Sequence, residues 1–315
     1  MRAAVHSAFR RVSIPLTALI LAVGIGAARA DDAPWRLVDW KPVVDGPVFE
    51  ATGKDTWDNK IRERGFILID DQGTYNLWYT GYNFDRAQTM SLGRATSSDG
   101  LHWTRDSANP IFDKLWTEDV CVVRHNGIYH MFAEGKGDIA HRLTSSDGVH
   151  WTDHGPLDVR LTNGEPIPPG PYGTPTAWFE DGLWRLFYER RDAGVWYATS
   201  RDMKVWTNVR DEPVLSPGPE PYDKTMIAAN QVVRRDGHYY TFYHALAEPG
   251  SRVWNTCVAR SKDLIHWEKY PGNPIIAGNR SSAVLVETPQ GDRLYTMHPA
   301  VWAFEPTGLR EPDQR

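Results

Sequence analysis

Two cysteines, Cys121 and Cys257, are all that the 315 residues contain, and neither sits in a Cys-x-x-Cys pair. A disulfide framework is excluded, and zinc or dithiol redox chemistry has no ligand pattern to rest on. Beyond residue 30 no apolar run approaches the ~18 residues of a membrane span, so an integral helical membrane protein is excluded as well. Long helical patterns are also missing, because 22 Pro and 26 Gly break the chain at short intervals. What is abundant is aromatic: 12% of residues, with 14 Trp. Such a balance suits many short strands joined by turns around a well-formed core.

The first thirty residues stand apart. Arg2, Arg10 and Arg11 precede an apolar stretch from Ile14 to Ile25 that ends in Ala28-Arg29-Ala30. This is the pattern of a secretory signal peptide, and Arg10-Arg11 also admits a twin-arginine signal. Either route predicts export to the periplasm or the medium. The remaining chain carries 31 basic and 40 acidic residues. Its acidic surface argues against nucleic acid and anionic membranes as partners, since both require a positive patch.

From residue 31 onward the chain repeats. Ser97-Ser98-Asp99-Gly100-Leu101-His102-Trp103 returns as Ser145 to Trp151, Ser200 to Trp206 and Ser261 to Trp267, always Ser-x-Asp-x-x-x-Trp, at spacings of 48, 55 and 61 residues. A hairpin with a turn glycine precedes each copy, around Gly73, Gly127, Gly182 and Gly237, and a fifth hairpin lies around Gly291. Each unit reads as four short strands, so 31–315 is expected to be one all-β domain, a five-bladed β-propeller. The last blade lacks outer strands, and Trp35 to Trp40 is the natural donor to close the ring and cover the open sheet edge. The Ser-x-Asp-x-x-x-Trp segments read as structural turns, with Asp bonding its own backbone and Trp filling space between blades.

In a propeller the inner strand of each blade begins, and the second strand ends, at one mouth of the central funnel. Aligning the hairpins on their turn glycines places Thr80, Glu134, Glu189, His244 and His298 at one equivalent position. A packed blade would not accept such ionisable groups unpaired. At the starts of the inner strands blade two offers Glu118-Asp119 and blade one Glu63-Arg64-Gly65, with Asp58 a few residues earlier. Several carboxylates in a funnel rimmed by Trp57, Trp116, Trp178, Trp196 and Trp254 suit carbohydrate chemistry. One carboxyl group protonates the leaving oxygen, and another activates water or attacks the anomeric carbon. Asp119, Glu134 and Glu189 are the expected catalytic residues. Asp58, Glu63, Glu118, Arg190, His244, Trp57, Trp116 and Trp254 are expected at the substrate, and Arg191 and Lys136 offer further cations.

The hairpin repeats, the closing strand, Asn109-Pro110-Ile111, Asn273-Pro274-Ile275 and Glu118-Asp119 resemble the five-bladed propeller glycosidases, the superfamily of arabinanases, β-xylosidases and invertases. The resemblance implies three cooperating acids, from blades one, two and three, of which Asp119 matches the aspartate of blade two. It transfers badly elsewhere. Gly173-Thr174-Pro175-Thr176 stands where blade three should offer an acid, leaving Glu189 as its replacement and Asp58 or Glu63 as the base. No cofactor is required, although a histidine of blade five helps hold an axial ion in that superfamily, and His298 is the candidate ligand for a calcium or sodium ion. A glycoside hydrolase is the expected activity; a related glycoside phosphorylase or lyase and a non-catalytic sugar-binding propeller are the alternatives.

Overall fold

The computed structural model describes residues 33–308; the leader read over 1–30 lies outside them. Among the described residues there is one short 3-10 turn, Pro221–Asp223, and otherwise strands and loops. No helix among them is long and apolar enough to cross a membrane.

Five antiparallel sheets follow one another along the chain. From the inner strand outward, blade one is Lys60–Ile69, Tyr75–Tyr82, Ser91–Ser97 and Thr104–Arg105, and blade two is Glu118–His125, Ile128–Gly135, Ile139–Ser145 and Thr152–Pro156. Blade three is Gly173–Glu180, Leu183–Glu189, Val195–Ser200 and Val205–Asn208, with Asp158–Arg160 added parallel to its outer edge. Blade four is Met226–Arg235, His238–Leu246, Trp254–Ser261 and Trp267–Lys269; blade five is Val284–Thr288, Gly291–Thr296 and Trp302–Pro306. The inner strands touch in sequence, and Val284–Thr288 returns to Lys60–Ile69, so the ring is closed. The fold is therefore the five-bladed propeller that the repeats predicted.

Local chemistry explains the blades. Asn126-Gly127, Asp181-Gly182 and Asp236-Gly237 all have positive φ at both residues, as a two-residue hairpin matching the twist of its strands requires. In each Ser-x-Asp-x-x-x-Trp turn the Asp carboxylate accepts backbone N–H bonds two and three residues on, as Asp99 does from Leu101 and His102 at 2.8 and 2.9 Å. The Trp that follows packs on the second strand of the preceding blade: Trp151 on Trp78, Trp206 on Phe132 and Trp267 on Phe187. These motifs are structural.

Closure differs from the expectation in one respect. The N-terminal strand is Trp40–Pro42, and it supplies only the outermost strand of blade five by pairing with Trp302–Pro306. Residues 35–39 form no strand; Trp35 packs against Tyr240 and Tyr270 and under the Arg260 guanidinium, 4.2 Å from the ring centroid. Deleting residues 31–42 removes Trp35, Val38 and Trp40 from their packing and uncovers a sheet edge. At roughly 2 kcal/mol for each buried side chain, the melting temperature should fall by about 10 °C. A truncated protein that melts with the parent in a thermal scan refutes this reading of closure.

Both thiols are buried and unpaired, Cys121 on the inner strand of blade two and Cys257 on the third strand of blade four.

Candidate active site

Register brings the ionisable positions together. Thr80 pairs with Arg62, Glu134 with Glu118, Glu189 with Gly173, His244 with Ala228 and His298 with Ser281, so each blade presents the same pair at one mouth. The next inner-strand residue has a left-handed backbone in four blades: Glu63 (φ 59°), Asp119 (48°), Thr174 (43°) and Ser282 (61°). The inner strands of blades one to three are bulged at this point. A bulge re-aims a side chain, and a left-handed non-glycine residue costs of order 1–3 kcal/mol, a cost retained where surroundings over-determine it.

These residues enclose a cavity of about 180 Å³. Glu63, Glu118, Asp119, Glu134 and Glu189 form its acidic wall, and His244 and Trp254 face them, ring centroids 5.0 Å apart. Asp138, Asp192, Arg62 and Arg191 also line it; sequence reasoning missed all but Arg191. A signal existed for the two aspartates, since each follows an aligned glutamate within four residues, in Glu134-Gly135-Lys136-Gly137-Asp138 and Glu189-Arg190-Arg191-Asp192.

Glu134 and Glu189 share one glycine. Glu134 Oε2 accepts from the Thr174 N–H (2.7 Å) and hydroxyl (3.3 Å). Glu189 accepts from the Gly173 N–H at 3.0 Å on Oε1 and from the Asp192 N–H on Oε2. A Cβ on Gly173 would stand 2.1 Å from Glu134 Oε2 and 2.8 Å from Glu189 Oε1. The carboxyl groups therefore converge on the space that a missing side chain leaves. Burial, with the charges of Asp119 and Glu118, holds Glu134 well above the usual carboxylate range. Burial and Asp192 push Glu189 up to about 7.

Glu63 and Glu118 behave alike. Burial and then Asp119 raise Glu63 to about 8 and Glu118 to about 7, although Arg62 pairs with Glu63 and lies 3.9 Å from Glu118. Glu118 Oε1 accepts from Trp116 Nε1 at 2.6 Å, whereas its buried Oε2 and the buried Ser282 hydroxyl have no hydrogen-bond partner. These groups suit a ligand rich in hydroxyls. Burial, Arg64 and His298 pull His244 down to about 3, so it faces the cavity as a neutral ring.

Several expected residues lie elsewhere. Asp58 is buried within blade one, where its Oδ2 accepts from Arg105 Nε (2.8 Å) and Tyr79 (3.1 Å), with Asn109 on the same tyrosine. Blade four repeats this cluster as Asp223 with Lys269, Tyr243 and Asn273. Recurrence in two blades marks it as a brace, and Asp58 is not brought to the cavity. Trp57 covers Gly81 and Gly93, where a Cβ would meet its ring at 2.4 and 2.6 Å. Trp178 packs against Phe187, and Trp196 donates to the Asp211 carbonyl. Trp116 lines a neighbouring cavity of about 470 Å³ with Lys136 and His141, so of the five expected rim tryptophans only Trp254 lines the acidic cavity. Arg190 donates to the Pro168 carbonyl at 2.7 Å, and Arg191 takes the cavity position instead. His298 Nδ1 lies 3.8 Å from Glu63 without a hydrogen-bond partner. Among the described residues no group of three or more His, Cys, Asp or Glu could hold a metal ion.

Solved structures share this architecture. A provisionally assigned glycoside hydrolase from Parabacteroides distasonis superposes with a TM-score of 0.70 at 18% identity, covering 86% of this chain and 97% of that one. The fold is that of five-bladed glycoside hydrolases. An α-L-arabinofuranosidase from Podospora anserina carries the same propeller (TM-score 0.60, 11% identity, 85% and 97% covered). So does a structure from glycoside hydrolase family 130, a family of mannoside phosphorylases containing hydrolases that target β-1,2-mannosidic linkages in Candida mannan (0.63, 17%, 80% and 86%). In sequence the chain is 27% identical over 137 residues to a 1,2-β-oligomannan phosphorylase from Thermoanaerobacter sp. (strain X514). That match covers 39% of this chain and 45% of the relative, so the chain spans less than half the length of the curated relative it matches. No family model matches.

Proposed function

We propose that this protein is an exported glycoside hydrolase that cleaves oligo- or polysaccharide bonds between Glu134 and Glu189. The observation that carries the reading is the convergence of these two glutamates over Gly173 with different environments. Glu189 receives a backbone N–H on each oxygen, which favours its ionised form; Glu134 is held through one oxygen only. Glu134 is thus the proton donor to the leaving oxygen, and Glu189 the base toward incoming water. Asp119, which lines the same cavity, orients the sugar. Trp254 offers an apolar face, and a chain longer than one sugar would cross the 135–139 hairpin tip toward Trp116.

Water is favoured over phosphate as acceptor because the cavity is lined by seven carboxyl groups, and one of its two arginines, Arg62, already pairs with Glu63. A phosphate dianion would enter against that field. The phosphorylase reading draws its support from the oligomannan phosphorylase likeness. The two separate in one experiment: purified protein is incubated with a glycan panel led by β-1,2-linked mannooligosaccharides, with and without inorganic phosphate, and products are resolved by chromatography. Free sugar formed equally in both is expected. Sugar 1-phosphate formed only with phosphate replaces the hydrolase reading by the phosphorylase, and binding without any product replaces both by a sugar-binding propeller.

A further inference from the structure

Arg64 enters from the inner strand of blade one and is fully buried. Its guanidinium reaches the inner strands of three other blades. Nε donates to the Val120 carbonyl (3.1 Å), and Nη2 to the carbonyls of Asp119 (2.5 Å) and Pro175 (2.7 Å). Nη1 donates to Thr176 Oγ1 (2.5 Å) and to the carbonyls of Ala229 (3.1 Å) and Asn230 (2.9 Å). One side chain therefore ties the inner strands of blades two, three and four to blade one, using all five of its N–H groups. The acceptors are neutral oxygens, five of them backbone carbonyls aimed at one point. Such a set is also what a hard cation such as calcium or sodium selects.

We propose that Arg64 is the resident cation of the propeller axis. It stands where an axial ion would bind, so this chain neither needs nor admits one, and the superfamily's ion does not fit here. The same residue positions Asp119. The Arg64 N–H donates to Asp119 Oδ1 at 3.0 Å while the guanidinium holds the Asp119 carbonyl, gripping at both ends a residue in the left-handed region. Arg64 thereby couples the axis to the floor of the acidic cavity. This last step, Asp119 as a substrate contact, rests on the function proposed above; the identity of the axial cation does not.

Two sets of measurements test it. In the parent, elemental analysis of purified protein should find less than stoichiometric calcium and no other bound metal, and chelator, calcium or sodium should leave the melting temperature unchanged. A stoichiometric ion whose removal lowers that temperature overturns the proposal. Arg64→Ala empties the oxygen cage, and the melting temperature should fall by roughly 10 °C, as for loss of a buried, multiply bonded charge. Guanidinium far below denaturing concentration, or calcium, should restore much of the loss saturably and leave the parent unaffected. Should Arg64→Ala not fold, Arg64→Lys retains the charge with fewer donors and should melt several degrees lower than the parent. An Arg64→Lys protein as stable as the parent, or an Arg64→Ala protein indifferent to both cations, overturns the assignment. These readouts need no substrate, so they stand apart from the hydrolase test. On a cleaved substrate, Arg64→Lys should also lower kcat/KM at least tenfold with little change in the pH profile, as misplacement of Asp119 predicts.

Discussion

Replacing Glu134 or Glu189 by Gln should lower turnover by ~100-fold or more while leaving a folded protein, because loss of a general acid or base costs that much. The two variants should differ in kind. Without the proton donor, Glu134→Gln should regain activity on substrates with a good leaving group, such as an aryl glycoside, which need little protonation. Glu189→Gln should not, and its loss should instead be relieved by a small anion such as azide or formate. The pH profile carries the same assignment. Glu189 must be ionised to act as base, so kcat/KM should rise as pH passes upward through about 7; Glu134 must stay protonated, so activity should fall again only on the alkaline side. The acid limb should vanish in Glu189→Gln. Stability moves the other way. A glutamate held near 7 in the fold and near its ordinary 4.5 in the unfolded chain binds its proton more tightly when folded. The parent therefore loses stability as pH rises from about 4.5 to 7. Glu189→Gln lacks that loss and should melt no lower than the parent at pH 8. Near-parental turnover in both variants, measured by initial rates on a substrate the parent cleaves, would move the chemistry to Glu63 and Glu118.

Gly173→Ala should be nearly as damaging to turnover, although it changes no ionisable group. Its Cβ would fall 2.1 Å from Glu134 Oε2 and 2.7 Å from that carboxyl carbon, closer than real Cβ atoms approach. The carboxyl groups must then part, and a misplacement of about 1 Å in a catalytic constellation costs roughly 100-fold. Unlike the Gln variants, Gly173→Ala should not respond to a better leaving group or to azide, because geometry rather than a proton is lost. Parental kcat/KM in this variant would show that the glutamates do not act as a pair.

The repeats made the fold legible. Ser-x-Asp-x-x-x-Trp recurs because each blade needs the same turn and the same filler against its neighbour, so the requirement is local and is written locally. The ends of the second strands were legible for the same reason: a fixed hairpin length carries Glu134, Glu189 and His244 to one mouth, and counting from the turn glycines found them. Where the sequence misled, the deciding contacts were between distant residues. Asp58 reads as a base until Arg105 and Tyr79 close around it. Trp57, Trp178 and Trp196 read as rim aromatics until each is packed against or bonded to its own blade. Gly173 looks like a missing acid in blade three, yet in three dimensions it is the gap that lets Glu134 and Glu189 meet. Arg64 reads as one more charge before a strand, and only closure of the ring brings carbonyls from three other blades around it. Sequence thus determined the repeat, its turns and the row of glutamates, which depend on neighbours along the chain. Tertiary structure alone decided which acids share a cavity and what fills the axis, because the hydrogen bonds that hold Glu134 and the Arg64 guanidinium join groups 40 to 166 residues apart.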